Sequence, residues 1–223
     1  MKICYQLKSY MLVIQFSVSV NLTNQCSTSS AQLPVGINMS AICNWTILTQ
    51  RFDASLSFNR NWADYKNGFS DGSGANGNFW IGLENMHRLT TSTNCRLRFL
   101  LLALDDGNWY IADYDSIVID SESGKYRWHF GNYSGNAGDS LRFGDTHILQ
   151  DQLFSTCDVD SDTHAWTNCA CTYESGWWFD NCYMASVTGV YGTIDYIWAD
   201  PNQPVGFDRY GQLRASFMMI QKK

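Results

Sequence analysis

Polar and apolar positions follow two different regimes along the chain. In Arg96-Leu97-Arg98-Phe99-Leu100-Leu101-Leu102 a two-residue alternation runs into unbroken apolar residues as far as Leu104, which predicts a central strand buried on both faces. Asp106-Gly107 supplies the positive φ of a tight turn, Trp109 to Tyr114 returns, and Ile117-Val118-Ile119 continues. Ser123-Gly124 then turns into Tyr126-Arg127-Trp128-His129-Phe130, so residues 96–130 read as an antiparallel meander. Upstream, Trp62, Tyr65 and Phe69 are spaced by three and four, predicting a short helix opened by Asn59 or Asn61 and stopped near Gly68. A Gly/Ser/Asn run from Ser70 to Asn78 reads as a surface loop feeding the apolar Phe79-Trp80-Ile81-Gly82-Leu83. After Asp145 strand periodicity fades, and Asp, Asn, Trp and Gly crowd together as far as Arg209. That half is expected to be irregular backbone held by cross-links and an ion, the kind of scaffolded loop on which functional residues concentrate.

At the N-terminus Lys2 and Lys8 precede the apolar run Tyr10 to Val20, which has the length of a signal-peptide core and is too short to span a bilayer. Residues 1–20 are therefore expected to be a signal peptide, although the Val/Ser alternation over 16–20 also suits a buried strand. Residues 21–44 form a Ser/Thr/Asn-rich lead-in segment containing Cys26 and Cys43. Eight cysteines without a paired CxxC zinc spacing point to disulfides and an oxidising compartment. The sequons at Asn21, Asn38, Asn44 and Asn132 agree with secretion. Loss of Cys4 with a leader would leave an odd count, with one thiol free or bridging two chains into a homo-oligomer.

The composition of the 223 residues, 45% hydrophobic, 15% aromatic and 16% charged, excludes disorder. A net charge of −6 without a basic stripe argues against nucleic acid as a partner.

Three constellations could carry chemistry. Asp158-Val159-Asp160-Ser161-Asp162 places three carboxylates at alternate positions, as a hard cation would require and as a solvated acidic turn would also allow. It is not an EF-hand, because Thr163 stands where that loop needs Gly and Cys169 where it needs Glu. Cys169 and Cys182 enclose Glu174-Ser175-Gly176-Trp177-Trp178, whose two indoles could wall a ligand or fill the core. Gly138-Asp139-Ser140-Leu141 spells an esterase signature, but the residues three before His87, His129, His147 and His164 are Glu84, Tyr126, Gly144 and Ser161. No Asp-x-x-His base is present, and HExxH and P-loop patterns are absent. His87 and His129 lie in apolar surroundings and read as structural.

The ordered set of motifs resembles the fibrinogen C-terminal domain, the fibrinogen-related module of ficolins, tenascins, angiopoietins and invertebrate lectins. The resemblance rests on Asn61-Trp62-Ala63-Asp64-Tyr65-Lys66-Asn67-Gly68-Phe69, Phe79 to Thr90, Ala137-Gly138-Asp139-Ser140-Leu141 and Phe154-Ser155-Thr156. It continues through the Asp triplet into Thr167-Asn168-Cys169-Ala170, Gly176-Trp177-Trp178-Phe179 and Asn181-Cys182. It implies an α+β fold over residues 45–223, with a central twisted antiparallel sheet over about 51–148 and a loop-rich calcium- and ligand-binding region over about 149–215. It further implies a non-enzymatic, secreted, calcium-dependent recognition domain for extracellular glycans, acetylated ligands or cell-surface and matrix proteins, in innate recognition. The alternative is a tenascin- or angiopoietin-like module that binds proteins.

By position, the resemblance implies Ca²⁺ held by the side chains of Asp160 and Asp162 with Asp158 nearby, and by main-chain oxygens of His164 and of Trp166 or Thr167. It implies a Cys169–Cys182 disulfide, a cis peptide between Asn181 and Cys182, and a ligand pocket formed by Tyr173, Trp178, Asn181, Cys182 and Tyr183. Tyr183 replaces the His frequent at this place, which bears on acetyl-group recognition. The chain is one residue longer than many members between Asp162 and Cys169, and Ile42-Cys43-Asn44 replaces the usual Cys-Asp and Gly run before Trp45. A Cys26–Cys43 bridge could substitute there, and Cys95, Cys157 and Cys171 are additional.

Overall fold

The long apolar run after Arg96 forms β4 (Cys95–Ala103), which hairpins into β5 (Trp109–Ile119) as the Asp106-Gly107 turn predicts. The computed structural model describes residues 42, 44–73, 77–145, 147–199 and 211–223; the expected signal peptide and a Cys26–Cys43 bridge lie outside them. β5 runs unbroken through Asp115, and β6 (Trp128–Phe130) and β7 (Tyr133–Gly135) both pair with it.

β1 (Thr46–Arg51), β2 (Phe69–Ser70) and β3 (Phe79–Trp80) complete one flank. The centre of the sheet is supplied by β12 (Leu213–Lys222), which lies antiparallel between β1 and β4. Ile220 faces Thr46 on one side and Leu97 on the other. The sheet therefore does not end near residue 148, as the domain reading expects; its middle comes from the far end of the chain. The apolar Phe217-Met218-Met219-Ile220 is what makes this placement favourable, since a central strand needs both faces covered.

The two faces carry separate cores. Leu97, Phe99, Leu101, Met218 and Ile220 join the main core, whereas Leu100, Phe217 and Met219 pack with Trp45 and Ile47 on the opposite face. This is the strand's two-residue period expressed as packing. Arg96 and Arg98 lie over the Trp45 ring at 4.9 and 4.5 Å and shield this smaller core from water.

Two helices brace the sheet. α1 (Trp62–Asn67) is capped by Asn61, whose side chain accepts from the Asp64 N–H, and ends at Gly68, as the sequence spacing predicts. α2 (Leu83–Ser92) is not anticipated in the sequence reading, although Leu83, Met86 and Thr90 recur on one buried face. Its start at Gly82 has φ 101°, and a Cβ there would lie 2.8 Å from the Lys66 carbonyl, so only glycine lets α1 and α2 approach this closely. Among the described residues the remaining short elements are a 3₁₀ turn (Glu122–Gly124), β8 (Arg142–Phe143), β9 (His147–Ile148), α3 (Cys169–Thr172), β10 (Ala185–Ser186) and β11 (Ile197–Trp198). Between them the backbone is irregular, as expected.

Ser140 of the esterase-like tetrad is fully buried, and its Oγ donates to the Ala199 carbonyl. His87 bonds the Ile119 carbonyl at 2.8 Å, and His129 bonds Asp151 and Asp120. All three are structural. The sequons Asn44 and Asn132 are exposed; Asn21 and Asn38 lie outside the described residues.

Candidate functional site

Residues 157–183 form a loop-rich lobe held by two overlapping cross-links. Cys169 pairs with Cys182, as the resemblance implies, and Cys157 pairs with Cys171. Among the described residues Cys95 is the free thiol, and it is 1% exposed, so it cannot serve as the interchain link expected of an unpaired cysteine.

The acidic run is folded back on itself. Asp162 accepts from the His164 N–H at 2.9 Å and the Cys169 N–H at 2.8 Å, and its own N–H lies 3.3 Å from an Asp160 carboxylate oxygen. Burial, together with the charge of Asp160, pushes the Asp162 carboxyl above the usual range against those backbone donors. Lys125 reaches the Ser161 Oγ at 3.4 Å, but among the described residues neither Asp160 nor Asp162 has an ion-pair partner.

Two adjoining carboxylates without a counter-ion suit a hard cation, with main-chain oxygens of the same loop able to complete its shell. Among the described residues no group of three or more His, Cys, Asp or Glu side chains converges as a metal site, so such a cation would depend on those main-chain oxygens. Asp158 is engaged elsewhere, since one of its oxygens accepts from the Trp62 N–H at 2.9 Å and the Thr156 hydroxyl at 2.7 Å. That contact fastens the loop to the start of α1.

His164 contributes its ring as well as its backbone. Its Nδ1 accepts from the N–H groups of Trp166 and Thr167 at 3.2 and 3.1 Å, which rounds the loop and leaves Trp166 exposed at 89%.

The Cys169–Cys182 bond joins this loop to an aromatic corner. The Asn181–Cys182 peptide is cis, as expected. Asn181 is exposed, and Tyr183 and Tyr173 meet edge to face with centroids 4.8 Å apart. Tyr183 Oη donates to Asp195 at 3.2 Å, which fixes the ring; burial foremost, then the Asp195 charge, raises its phenol well above the ordinary range.

Trp178 does not belong to this surface, and the expectation that it lines a pocket is corrected. Its indole is fully buried, stacked on Trp128 at 4.2 Å and donating to the Tyr126 carbonyl at 2.7 Å. A large ring after Trp177 in a lobe without regular strands gains most by joining the core, which is the other reading its sequence allows.

Asp180, buried beneath the corner, is marked by no pattern in the sequence. Its Oδ2 accepts from the Ile148 N–H at 3.0 Å, and its Oδ1 lies 3.6 Å from His147 Nδ1. Burial, opposed by His147, raises the Asp180 carboxyl above its usual range. A raised carboxyl contributes stability below the unfolded value of about 3.9 that is lost as pH rises through the folded value. Asp180→Asn is therefore expected to match or exceed the parent in stability at pH 8 and to fall behind it at pH 4, measured by urea unfolding with chelator at both pH values.

Comparison with known proteins follows the same lines. The profile of the family described as fibrinogen beta and gamma chains, C-terminal globular domain, matches residues 18–207. Fibrinogen-like protein 1 of Bos taurus is 39% identical over 170 residues, covering 73% of this chain and 54% of that protein. Protein scabrous of Drosophila melanogaster is 40% identical over 156 residues, 70% of this chain and 18% of that protein. The chain thus spans about half or less of these curated relatives. Among solved structures, the fibrinogen-like globe domain of human ANGPTL2 superposes with a TM-score of 0.69 at 32% identity, covering 80% of each chain. A lamprey fibrin D-dimer complexed with the peptide Gly-His-Arg-Pro-amide gives 0.67 at 27% identity, covering 79% of this chain and 60% of that one.

Proposed function

Starting from a chain that belongs to the family of fibrinogen C-terminal globular domains, whose members are non-enzymatic, we propose that it is a secreted recognition domain that binds extracellular carbohydrate or acetylated surface ligands in a calcium-dependent way. One observation carries the reading. Cys169 donates its N–H to Asp162 and shares its sulfur with Cys182, so a single residue connects the acidic loop to the aromatic corner.

A Ca²⁺ ion would be held by Asp160 and Asp162 with main-chain oxygens of His164 and Trp166. When bound it supplies positive charge that relieves the repulsion between the two carboxylates. The chain's own residues then do the rest: Asp162 keeps the Cys169 amide in place, the disulfide fixes Cys182, and Tyr173 and Tyr183 offer ring faces and edges to a sugar or acyl group. Among the described residues no helix is long and apolar enough to cross a membrane.

Calorimetry with Ca²⁺ on chelator-stripped protein is expected to show one site with Kd on the order of 10⁻⁴–10⁻³ M, as in extracellular modules. Asp162→Ala should weaken it by tenfold or more, and a glycan array should lose its signal with chelator. Absence of Ca²⁺ binding together with a chelator-insensitive glycan signal would refute the reading.

The likeness to the ANGPTL2 globe domain and to a fibrin fragment complexed with a peptide supports a second reading, in which the same surface takes protein or peptide partners. Silence on the glycan array with binding to cell-surface or matrix protein would favour it.

A further inference from the structure

β1 ends in a buried cation. Arg51 is 3% exposed, and its guanidinium carbon lies 4.4 Å from the Phe58 ring centroid, 5.1 Å from Tyr196 and 5.6 Å from Tyr191. Nη1 donates to the Gly189 carbonyl, while Nε is shielded from solvent without a hydrogen-bond partner. Among the described residues no carboxylate comes within 4.0 Å of it, the ion pairs being those of other groups. Asp53, the carboxylate whose charge acts on it, is occupied by the Ser55 N–H and the Asn78 amide. A buried charge without a counter-ion is costly, and three ring faces with one carbonyl offset only part of that cost.

Arg51 also lines a cavity of about 200 Å³. Leu56, Phe58 and Val190 give it an apolar wall, Ser57 and Thr188 give hydroxyls, and Glu174 stands among its lining residues. The Ser57 Oγ accepts from the Asn59 N–H at 3.2 Å, so its own proton remains to be donated. Thr188 is already engaged, donating to the Gly176 carbonyl at 2.8 Å and accepting from the Ser186 hydroxyl at 3.1 Å.

We propose that this cavity is a second binding site, distinct from the acidic loop and the aromatic corner, which takes a carboxylate of sugar-acid or amino-acid size. Arg51 is the counter-ion, the Ser57 hydroxyl donates to the second oxygen or a neighbouring acceptor, and the carbon skeleton lies on Leu56 and Val190. A single guanidinium with the exposed Glu174 nearby suits a monoanion better than a phosphate dianion. Glu174 also belongs to the loop closed by Cys169 and Cys182, so the two sites share one piece of backbone.

The test is calorimetric titration of the whole chain, with chelator present so that the acidic loop is silent. The probes are the methyl glycoside of N-acetylneuraminic acid, N-acetylglycine, and neutral methyl galactoside. At least one carboxylate is expected to bind with Kd on the order of 1 mM or tighter while the neutral sugar does not. Binding by the sugar acid alone identifies a glycan as the source, and by N-acetylglycine alone a peptide C-terminus. Arg51→Met should weaken binding by tenfold or more, and Glu174→Gln should tighten it several-fold. If Arg51→Met fails to fold, Val190→Trp, which fills the cavity and leaves Arg51 in place, should abolish binding. No heat with either carboxylate up to about 50 mM, or undiminished binding in Val190→Trp, overturns the proposal.

Discussion

Trp128→Ala is expected to destabilise the protein by about 3–5 kcal/mol, the range for removing a fully buried large aromatic side chain. The ring is inaccessible to solvent, lies parallel to Trp178 at 4.2 Å, and meets Trp177 and Phe130 edge-on at 5.5 and 5.0 Å. Its Nε1 donates to the Leu149 carbonyl at 2.5 Å, so truncation also strands a buried acceptor. Each aromatic pair adds about 0.5–1.5 kcal/mol beyond its burial, and these contacts join β6 to the lobe behind the candidate site. The expected signature in urea unfolding is a large drop in midpoint with little change in slope, accompanied by loss of near-UV circular dichroism. Trp166→Ala is the control: at 89% exposure it should shift stability by no more than about 0.5 kcal/mol. A loss below about 1 kcal/mol in Trp128→Ala would show that the stack does not hold the lobe to the sheet.

The second large effect is expected from the Cys169→Ala, Cys182→Ala double variant. The bond closes a loop of sequence separation 13, whose constraint on the unfolded chain is worth about 3 kcal/mol. The Cys157–Cys171 bond has a separation of 14, so its removal should cost a similar amount. The two differ in what they leave behind. Without Cys157–Cys171 the acidic loop and the tyrosine corner remain connected through residue 169; without Cys169–Cys182 they do not. Both double variants should therefore lose comparable stability, while calcium-dependent ligand binding should fall sharply only where Cys169–Cys182 is removed. Equal retention of binding would break the connection on which the proposed function rests.

How much of the fold and site is legible in the sequence depends on the range of the interaction. α1 is legible because its cap, buried stripe and stop lie within a few residues, and the β4–β5 hairpin because Asp106-Gly107 sits between two apolar runs. α2 is hidden in the sequence even though Leu83, Met86 and Thr90 have helical spacing, because the unbroken apolar run Phe79 to Leu83 conceals where the helical period begins. The partner of Cys157, the Asp195 beneath Tyr183 and the Asp180–His147 contact are set by tertiary contact in an irregular lobe, where no period announces a neighbour. Trp178 illustrates the limit of position matching: the residue stands where expected in the motif, but its ring points into the core.

The place of β12 has a consequence for biosynthesis. Every other strand of the large sheet is made before it, yet β1 and β4 cannot face each other without it. Until residues 213–222 leave the ribosome, two apolar strand edges remain open, each a template for wrong pairing with another chain. Closing the sheet also depends on contacts between distant parts of the sequence, the slowest kind to form. The domain should therefore fold only after β12 is synthesised. A nonsense mutation before Leu213 would yield an aggregation-prone open sheet and not a shortened domain.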